Sequence, residues 1–325
     1  MTHSGAFEQD KGVPRKLRVE YEGAIYHVMN RGDRREPIFP SDEDRRLFLQ
    51  TLGDACQKTG WQVHAYCLMA NHFHLVVETP RANLAAGMRW FLGTYTARFN
   101  RRHRYFGHLF SGRYKSLLVD GSGNGYLKTV CEYVHLNPVR AKLLKPEQPL
   151  RHFSWSSWPE YLKASSQRPS WLRVDRLLGE LAVAKDSAAG RRNLEAQLEQ
   201  RRELEARKEN PDWRQIRRGW CWGPESFRDR MLDWIDRKKG GQHYGEELRE
   251  SDEQKAHRLA SEMLRRAGWE EEELKRRRKG DAAKVRIASR LRAETTMTWA
   301  WISARLVMGH WRTARNAVLS APAAK

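Results

Sequence analysis

The chain has no long apolar run. Nowhere in its 325 residues do the roughly 20 apolar residues of a membrane helix follow one another, so no membrane partner is expected. The opening stretch, MTHSGAFEQDKGVPRKLR, has no apolar centre and does not read as a secretory signal. Cysteine is scarce. Cys56, Cys67, Cys131 and Cys221 are scattered, and no two stand in C-x-x-C spacing. That excludes a zinc knuckle and a disulfide framework, and fits a reducing, cytoplasmic setting. There is no G-x-x-x-x-G-K-[ST] phosphate loop and no internal repeat. Negative charge is in short supply, with 40 Asp and Glu against 60 Lys and Arg, a net charge of +20. Thirteen Trp and a 10% aromatic share exclude a disordered tail protein. A folded chain this basic points to a polyanion, and nucleic acid leads that class.

Composition divides the chain into three. Residues 18–162 hold most of the strand-like runs. A Ser- and Pro-bearing patch, Ala164 to Ser170, reads as a linker opening a charged helical connecting region over 163–281. Acidic and basic residues alternate there in RRNLEAQLEQRRELEARKEN, as on a solvated helix. Trp213, Trp220 and Trp222, around a Gly223-Pro224 turn, suggest a small core of their own. A last helical block spans 282–320.

Within the first region, Ala24 to Met29 alternates as a strand does. Ser41 is placed to cap a helix running to about Thr59, with Asp42, Glu43 and Asp44 in its first turn. Trp61 to Met69 and His72 to Thr79 read as two strands around a tight Ala70-Asn71 turn. Asn83 to about Arg102 reads as a helix and Tyr114 to Val119 as a strand. After GSGNG, a helix is predicted from Tyr126 to Asn137, stopped by Pro138. The order β-α-β-β-α-β-α predicts an α+β fold, a ferredoxin-like antiparallel sheet with helices on one face.

Two segments bear reactive side chains. In Asn71-His72-Phe73-His74-Leu75-Val76-Val77, alternation puts His72 and His74 on one face and Phe73 on the other. Two imidazoles at i and i+2 can share a divalent metal, or can be ordinary histidines of a surface strand. In EYVHLNPVRA, Tyr133 and Asn137 fall at i and i+4 on one helix face. A tyrosine oxygen can be a covalent nucleophile, and an amide oxygen can join a hard-metal site suited to Mg²⁺ or Mn²⁺. Equally, Tyr133 can be a half-buried packing residue and Asn137 a helix cap. His27, His64 and His135 read as structural.

At these residues the chain resembles the HUH single-tyrosine transposases, the transposase IS200-like family. HAYCLMANHFHLVVE, FGHLFSGRYKSLLVD and YVHLNPVRAKL carry the likeness, over about Arg18 to Leu162. The branch it resembles most is the REP-associated tyrosine transposases. The resemblance implies a His pair on a central strand facing a tyrosine on a helix. His72 and His74 match the paired metal ligands, and Tyr133 matches the nucleophile. Asn137 stands where related transposases place a Gln, and Ala70 where they often have a Pro. Tyr126 lies seven residues earlier on roughly the same helix face, but its i+4 partner is Val130, which cannot bind metal.

The activity implied is nicking and rejoining of single-stranded hairpin DNA through a 5′-phosphotyrosine. The cofactor would be Mg²⁺ or Mn²⁺, the location the cytoplasm at the nucleoid, and the assembly a monomer or homodimer. Arg31, Arg34, Arg35, Arg113 and Lys115, together with Arg101, Arg102 and Arg104, are candidates for phosphate contacts. In the last block, WAWISARLVMGHWRTARNAV reads as a helix-turn-helix whose second helix presents Arg312 and Arg315 to DNA. Two rivals stand beside this reading. One is a domesticated protein that grips hairpin DNA without cleaving it. The other is a replication initiator or relaxase, disfavoured by the lack of any helicase motif.

Overall fold

The alternating segment around His27 becomes the strand on which the sheet is built. The computed structural model describes residues 19–181, 183, 185–207, 212–238 and 246–320. The opening stretch read for a secretory signal lies outside the described residues. So do Arg18 and the last three residues of the charged RRNLEAQLEQRRELEARKEN tract. Five strands form one sheet: β1 (Ala24–Arg31), β2 (Gln62–Met69), β3 (His72–Thr79), β4 (Lys115–Val119) and β5 (Cys221–Trp222). Their order is β2-β3-β1-β4-β5. The first four pair antiparallel, whereas β5 runs parallel to β4, so the sheet is mixed.

Register decides what each face carries. Arg31 pairs with His72, Met29 with His74 and His27 with Val76. Residues directly opposite in a ladder share a face, so His27, Met29, Arg31, His72 and His74 lie together. Phe73, Leu75 and Val77 occupy the other face. There α1 (Asp42–Thr59) and α2 (Leu84–His103) pack. Phe48 of α1 is the hub of that layer. Its ring centroid is 5.0 Å from Phe73, 4.8 Å from Phe91, 5.0 Å from Tyr95 and 5.1 Å from Phe39. The helix starts where expected because Ser41 and Asp44 form a reciprocal capping box, and it ends at Gly60, whose φ of 77° suits a residue without Cβ.

The expectation of helices on one face alone is corrected here. α3 (Tyr126–His135) covers the histidine face, with the Tyr133 ring 5.9 Å from that of His74. The reason lies in the strands: β2 and β3 are buried on both faces along most of their length, which demands cover on both sides. The predicted stop at Pro138 also shifts. α3 ends at His135, and Pro138 sits in the first turn of a new short helix, α4 (Asn137–Arg140), where a missing N–H costs nothing.

Beyond α5 (Trp158–Tyr161), the segment expected as a linker is packed down. Val63 accepts from the Arg173 N–H and donates to the Trp171 carbonyl, at 2.8 and 3.0 Å. The Arg168 guanidinium donates to the carbonyls of Tyr161 and Lys163 and pairs with Asp186. The chain continues through α6 (Asp175–Glu180), α7 (Ala188–Arg207), α8 (Asp212–Arg218) and α9 (Glu225–Lys238). Leu172, Leu194, Leu198, Trp213, Trp222 and Phe227 all join the core begun at Val19. Trp213 and Trp222 therefore belong to the main core rather than to a small one of their own, and Trp220 is exposed.

A second core gathers α10 (Glu246–Arg266), α11 (Glu273–Arg276), α12 (Ala282–Glu294), α13 (Trp299–Arg305) and α14 (Trp311–Leu319) around Leu259, Ile287, Leu291, Ile302 and Leu306. The two cores meet end to end at α1 and α12. Lys58 donates to the last carbonyls of α12, at Arg292 and Ala293, and Lys255 donates to the carbonyls of Lys58 and Glu294. Ammonium groups at helix C-termini satisfy orphan carbonyls and oppose the dipole favourably. Among the described residues no helix is long and apolar enough to cross a membrane.

Phe48→Ala empties the hub of the helix layer. The expected loss is about 3 to 5 kcal/mol of stability, read as a lower denaturant midpoint with an unchanged slope; a midpoint within error of the parent would contradict the packing described.

Candidate active site

The site starts from the two histidines that β3 carries on one face. His72 and His74 have ring centroids 5.2 Å apart. Each is held from behind. His72 Nδ1 shares a hydrogen bond of 2.8 Å with Asn71 Oδ1, and His74 Nδ1 shares one of 2.9 Å with His27 Nε2. Both Nδ1 atoms are thereby engaged, which fixes the rings and makes each Nε2 the nitrogen available to a ligand. Burial lowers the pKa of all three: His27 to about 3, His72 to about 4, and His74 well below the usual range, with neighbouring positive groups adding to the effect. A neutral imidazole is the form that binds metal.

Tyr133 stands over His74 and its partner His27. Its ring lies 5.6 Å from His27 and 5.9 Å from His74, edge-on to both. It is 5% exposed. On its other side Arg140, one turn into α4, lays its guanidinium 4.1 Å from the ring centroid and donates to the Tyr133 carbonyl. Arg140 is held by Glu205 of α7 at 3.2 Å, and the same carboxylate accepts from the Trp213 indole N–H. Trp213 closes the stack, 5.2 Å from Tyr133. Burial raises the phenol pKa, Arg140 and Arg217 pull it down, and Glu205 raises it. The net shift is upward, so the phenol is neutral in this closed arrangement and a cation is already in place for the phenolate.

Asn137 begins α4, buried, four residues after the tyrosine. Its amide nitrogen donates to the Tyr133 carbonyl at 3.3 Å, which leaves the side-chain oxygen as an acceptor. The two oriented, neutral imidazoles on β3 and the amide oxygen on α4 are groups that can each donate to a divalent ion. Among the described residues no three His, Cys, Asp or Glu side chains group as a metal cluster.

The rival tyrosine is elsewhere. Tyr126 packs edge-on to Trp222 at 5.5 Å. His64 pairs with Glu78 at 2.9 Å and His135 with Ser157 at 2.8 Å, both structural as expected. The four cysteines are free.

The basic candidates of the first region gather at one end of the sheet. Gly32 donates to the Asn71 carbonyl, the Asn71 amide donates to the Arg35 carbonyl, and Ser111 donates to the Arg31 carbonyl, at 2.9, 2.9 and 2.8 Å. These bonds draw the loops of Arg34, Arg35 and Arg113 to the His72 end of β3. Arg34, Arg35, Arg113 and Lys115 are exposed there, and Arg31 is half-buried beside His72. Arg312 and Arg315 are exposed on α14, at the far end of the chain, in the second core's unit. Arg102 is drawn partly aside by Asp44, at 3.4 Å.

Several functional candidates carry little or no mark in the sequence. His27 is no ordinary structural residue, since it orients His74. Its signal, register with β3, is invisible before the sheet is assembled. Arg140 sits within the NPVRA motif at i+7 from Tyr133, a helical spacing that could have drawn notice. Glu205 and Trp213 lie far along the chain with no local mark. Tyr105 and Phe106 are 59% and 97% exposed between Arg104 and His108. An aromatic pair set among basic residues is the pattern of base stacking, and RRHRYFGH shows it plainly.

Residues 20–137 match the family model described as "Transposase IS200 like", a span that takes in His72, His74, Tyr133 and Asn137. This part of the chain is similar to the IS200-like transposases. The chain is also similar to a solved structure described as "Structure of the REP associates tyrosine transposase bound to a REP hairpin", at 12% identity and a TM-score of 0.38, over 50% of this chain and 92% of that one. No curated protein matches it.

The lowered imidazole pKa values fix a pH dependence of stability. His27, His72 and His135 are held neutral in the fold, the first and last to about pH 3 and His72 to about pH 4. Their unfolded value is about 6.5. Between those limits the unfolded chain binds more protons, so stability is full above about pH 6.5 and falls as pH drops toward 4. Imidazole NMR titration of the metal-free protein should show these rings unprotonated at pH 5.5; midpoints near 6.5 would overturn their burial.

Proposed function

We propose, taking the IS200-like transposase segment as premise, that this chain is a DNA strand-transfer enzyme acting on single-stranded hairpin DNA with Tyr133 as its nucleophile. The observation that supports this most is the placing of Tyr133 edge-on to the His27–His74 pair, on a helix laid across the strand that bears both HUH histidines. The Tyr133 oxygen attacks phosphorus, the bond from phosphorus to the 3′-oxygen breaks, and the 5′-phosphate stays on the tyrosine. The phenol gives up its proton and the departing 3′-oxygen gains one, so the bond energy is kept for rejoining. A divalent ion held by His72, His74 and Asn137 would polarise the scissile phosphate.

Each remaining role belongs to the chain itself. His27 fixes the ring of His74. Arg140 supports negative charge on the phenol oxygen, in a wall dry enough for one cation to matter. Glu205 keeps that cation in place. Arg31, Arg34, Arg35, Arg113 and Lys115 take backbone phosphates at the His72 end, and Arg312 and Arg315 take a second stretch of DNA through the helix-turn-helix unit. A second reading, hairpin gripping without cleavage, draws on the burial of Tyr133 beneath Trp213. Under it the tyrosine is a core residue and the basic surfaces do all the work.

A labelled hairpin strand with Mn²⁺ separates the two. Tyr133→Phe should remove the covalent adduct and leave hairpin affinity within about twofold. His72→Ala or His74→Ala should remove adduct and metal dependence together, and Asn137→Ala should weaken activity less. Adduct formation by Tyr133→Phe, or full activity in EDTA, would overturn the mechanism. A parent protein that binds the hairpin and never forms the adduct would favour the second reading.

The second DNA-binding surface has its own test. Charge reversal at Arg312 and Arg315 should lower hairpin affinity and flatten its salt dependence, by about 0.7 to 0.9 in log–log slope for each phosphate no longer neutralised. The reactivity of bound DNA should not change. Superimposable slopes would remove the C-terminal helix from the DNA surface.

A further inference from the structure

Between α2 and the C-terminal unit lies a cavity of about 650 Å³, on the side of the sheet away from Tyr133. Its wall includes Arg89 and Trp90 of α2, Arg292 of α12, Met297 of the following turn, and Trp299 and Trp301 of α13. Three indoles, Trp90 packed against the first core and Trp299 and Trp301 against the second, line this one cavity. The two cores are already tied at the ends of α1 and α12 by Lys58 and Lys255.

The rings are held in a particular electrostatic state. Trp301 donates its indole N–H to Glu253 at 2.5 Å, which fixes the ring and engages a carboxylate that lines the cavity. The Lys58 ammonium lies 5.0 Å from the Trp90 ring and the Arg292 guanidinium 5.5 Å from Trp299. The indole N–H of Trp90 is buried with no hydrogen-bond partner. Arg292 itself lines the cavity and also donates to the Met297 carbonyl at 3.0 Å. A ring already in contact with a cation disfavours a second one and favours an electron-rich planar group. That argues against an ammonium ligand. An apolar peptide would desolvate Arg292 and Arg89 with no anion to offset the cost. A planar heteroaromatic ring with acceptors, carrying an anion beside it, suits the indoles and the two guanidinium groups, while the Glu253 carboxylate is taken up by the Trp301 N–H. The volume falls within the usual range of ligand sites, about 300 to 1,000 Å³.

We propose that this cavity binds an unpaired nucleobase of single-stranded DNA, the base stacking on the indoles and its flanking phosphate meeting Arg89 and Arg292. The inference rests on the DNA reading of the proposed function, but not on cleavage, because the cavity shares no residue with the Tyr133 site. It gives the enzyme a second grip that recognises unpaired bases as such.

The test uses the full-length chain, its tryptophan fluorescence, and two hexamers of equal charge at physiological salt: oligothymidylate and the same backbone without bases. The normal hexamer should quench the fluorescence and bind at least tenfold more tightly than the abasic one. Trp299→Ala should remove most of that base preference, since one base–aromatic stack is worth roughly five- to a hundredfold in affinity. Arg89→Glu, a change at an exposed position of α2, should weaken the normal hexamer about tenfold with the fold undisturbed. Equal binding of the two hexamers, or a base preference kept in both variants, overturns the proposal, because any stacking would then lie elsewhere, as at Tyr105 and Phe106. If the chain never forms a covalent adduct yet shows the base preference and loses it with Trp299→Ala, the cleavage reading fails and this one holds. If the adduct forms and the preference is absent, the reverse is true.

Discussion

The burial of a neutral histidine pair beneath a helix is the constraint on which the rest of this structure depends. His27 and His74 are polar residues with almost no contact with water, and each satisfies the other at 2.9 Å. Burial without a partner would cost each ring a hydrogen bond, so the pairing is what allows α3 to close over the sheet. That closure in turn sets Tyr133 beside the same two rings. The histidine face could have been a solvent face, as a half-buried antiparallel sheet allows. Because it is roofed, its titratable groups work in a dry setting where one cation or one ion changes reactivity strongly.

The wall around the tyrosine is completed from far along the chain. Arg140 belongs to the matched motif's immediate neighbourhood, but Glu205 and Trp213 come from α7 and α8, well beyond residues 20–137. Arg140, Glu205 and Trp213 form a single network: the carboxylate accepts from both the guanidinium and the indole, and the guanidinium lies over both rings. Removing the carboxylate would leave a half-buried guanidinium without its counter-charge, the costly half of such a pair. The charged helical region is thus part of the site's architecture, and its helices are more than a spacer between two functional ends.

Local signals made much of this legible in the sequence. Ser41 as a helix cap marked where α1 begins, and the alternation through His72 and His74 put both on one face, as the structure has it. The Tyr133–Asn137 spacing predicted one face of a single helix; Tyr133 lies in α3 and Asn137 opens α4, although the Asn137 amide still reaches the Tyr133 carbonyl. What failed was what depends on assembly. His27 looked structural because its partner is 47 residues away and is found only through strand register. The Ala164–Ser170 patch has the composition of a linker, yet Arg168 and Trp171 tie it to the first core through bonds that composition does not announce. Trp213 and Trp222 looked like a local cluster, since three nearby tryptophans suggest a shared core. One instead roofs the tyrosine, and the other extends the sheet as β5.

The central claim, the proposed function, is that Tyr133, and no other residue, becomes covalently joined to DNA at a site built on His72 and His74. Mass spectrometry of protease digests after incubation with a hairpin strand and Mn²⁺ tests it most directly. The account predicts a single nucleotidyl-modified peptide, the one spanning Tyr133, with the phosphate linked through its 5′-oxygen to the DNA. A modified peptide containing Tyr126 instead, or a strand cut with no peptide modified, would contradict it.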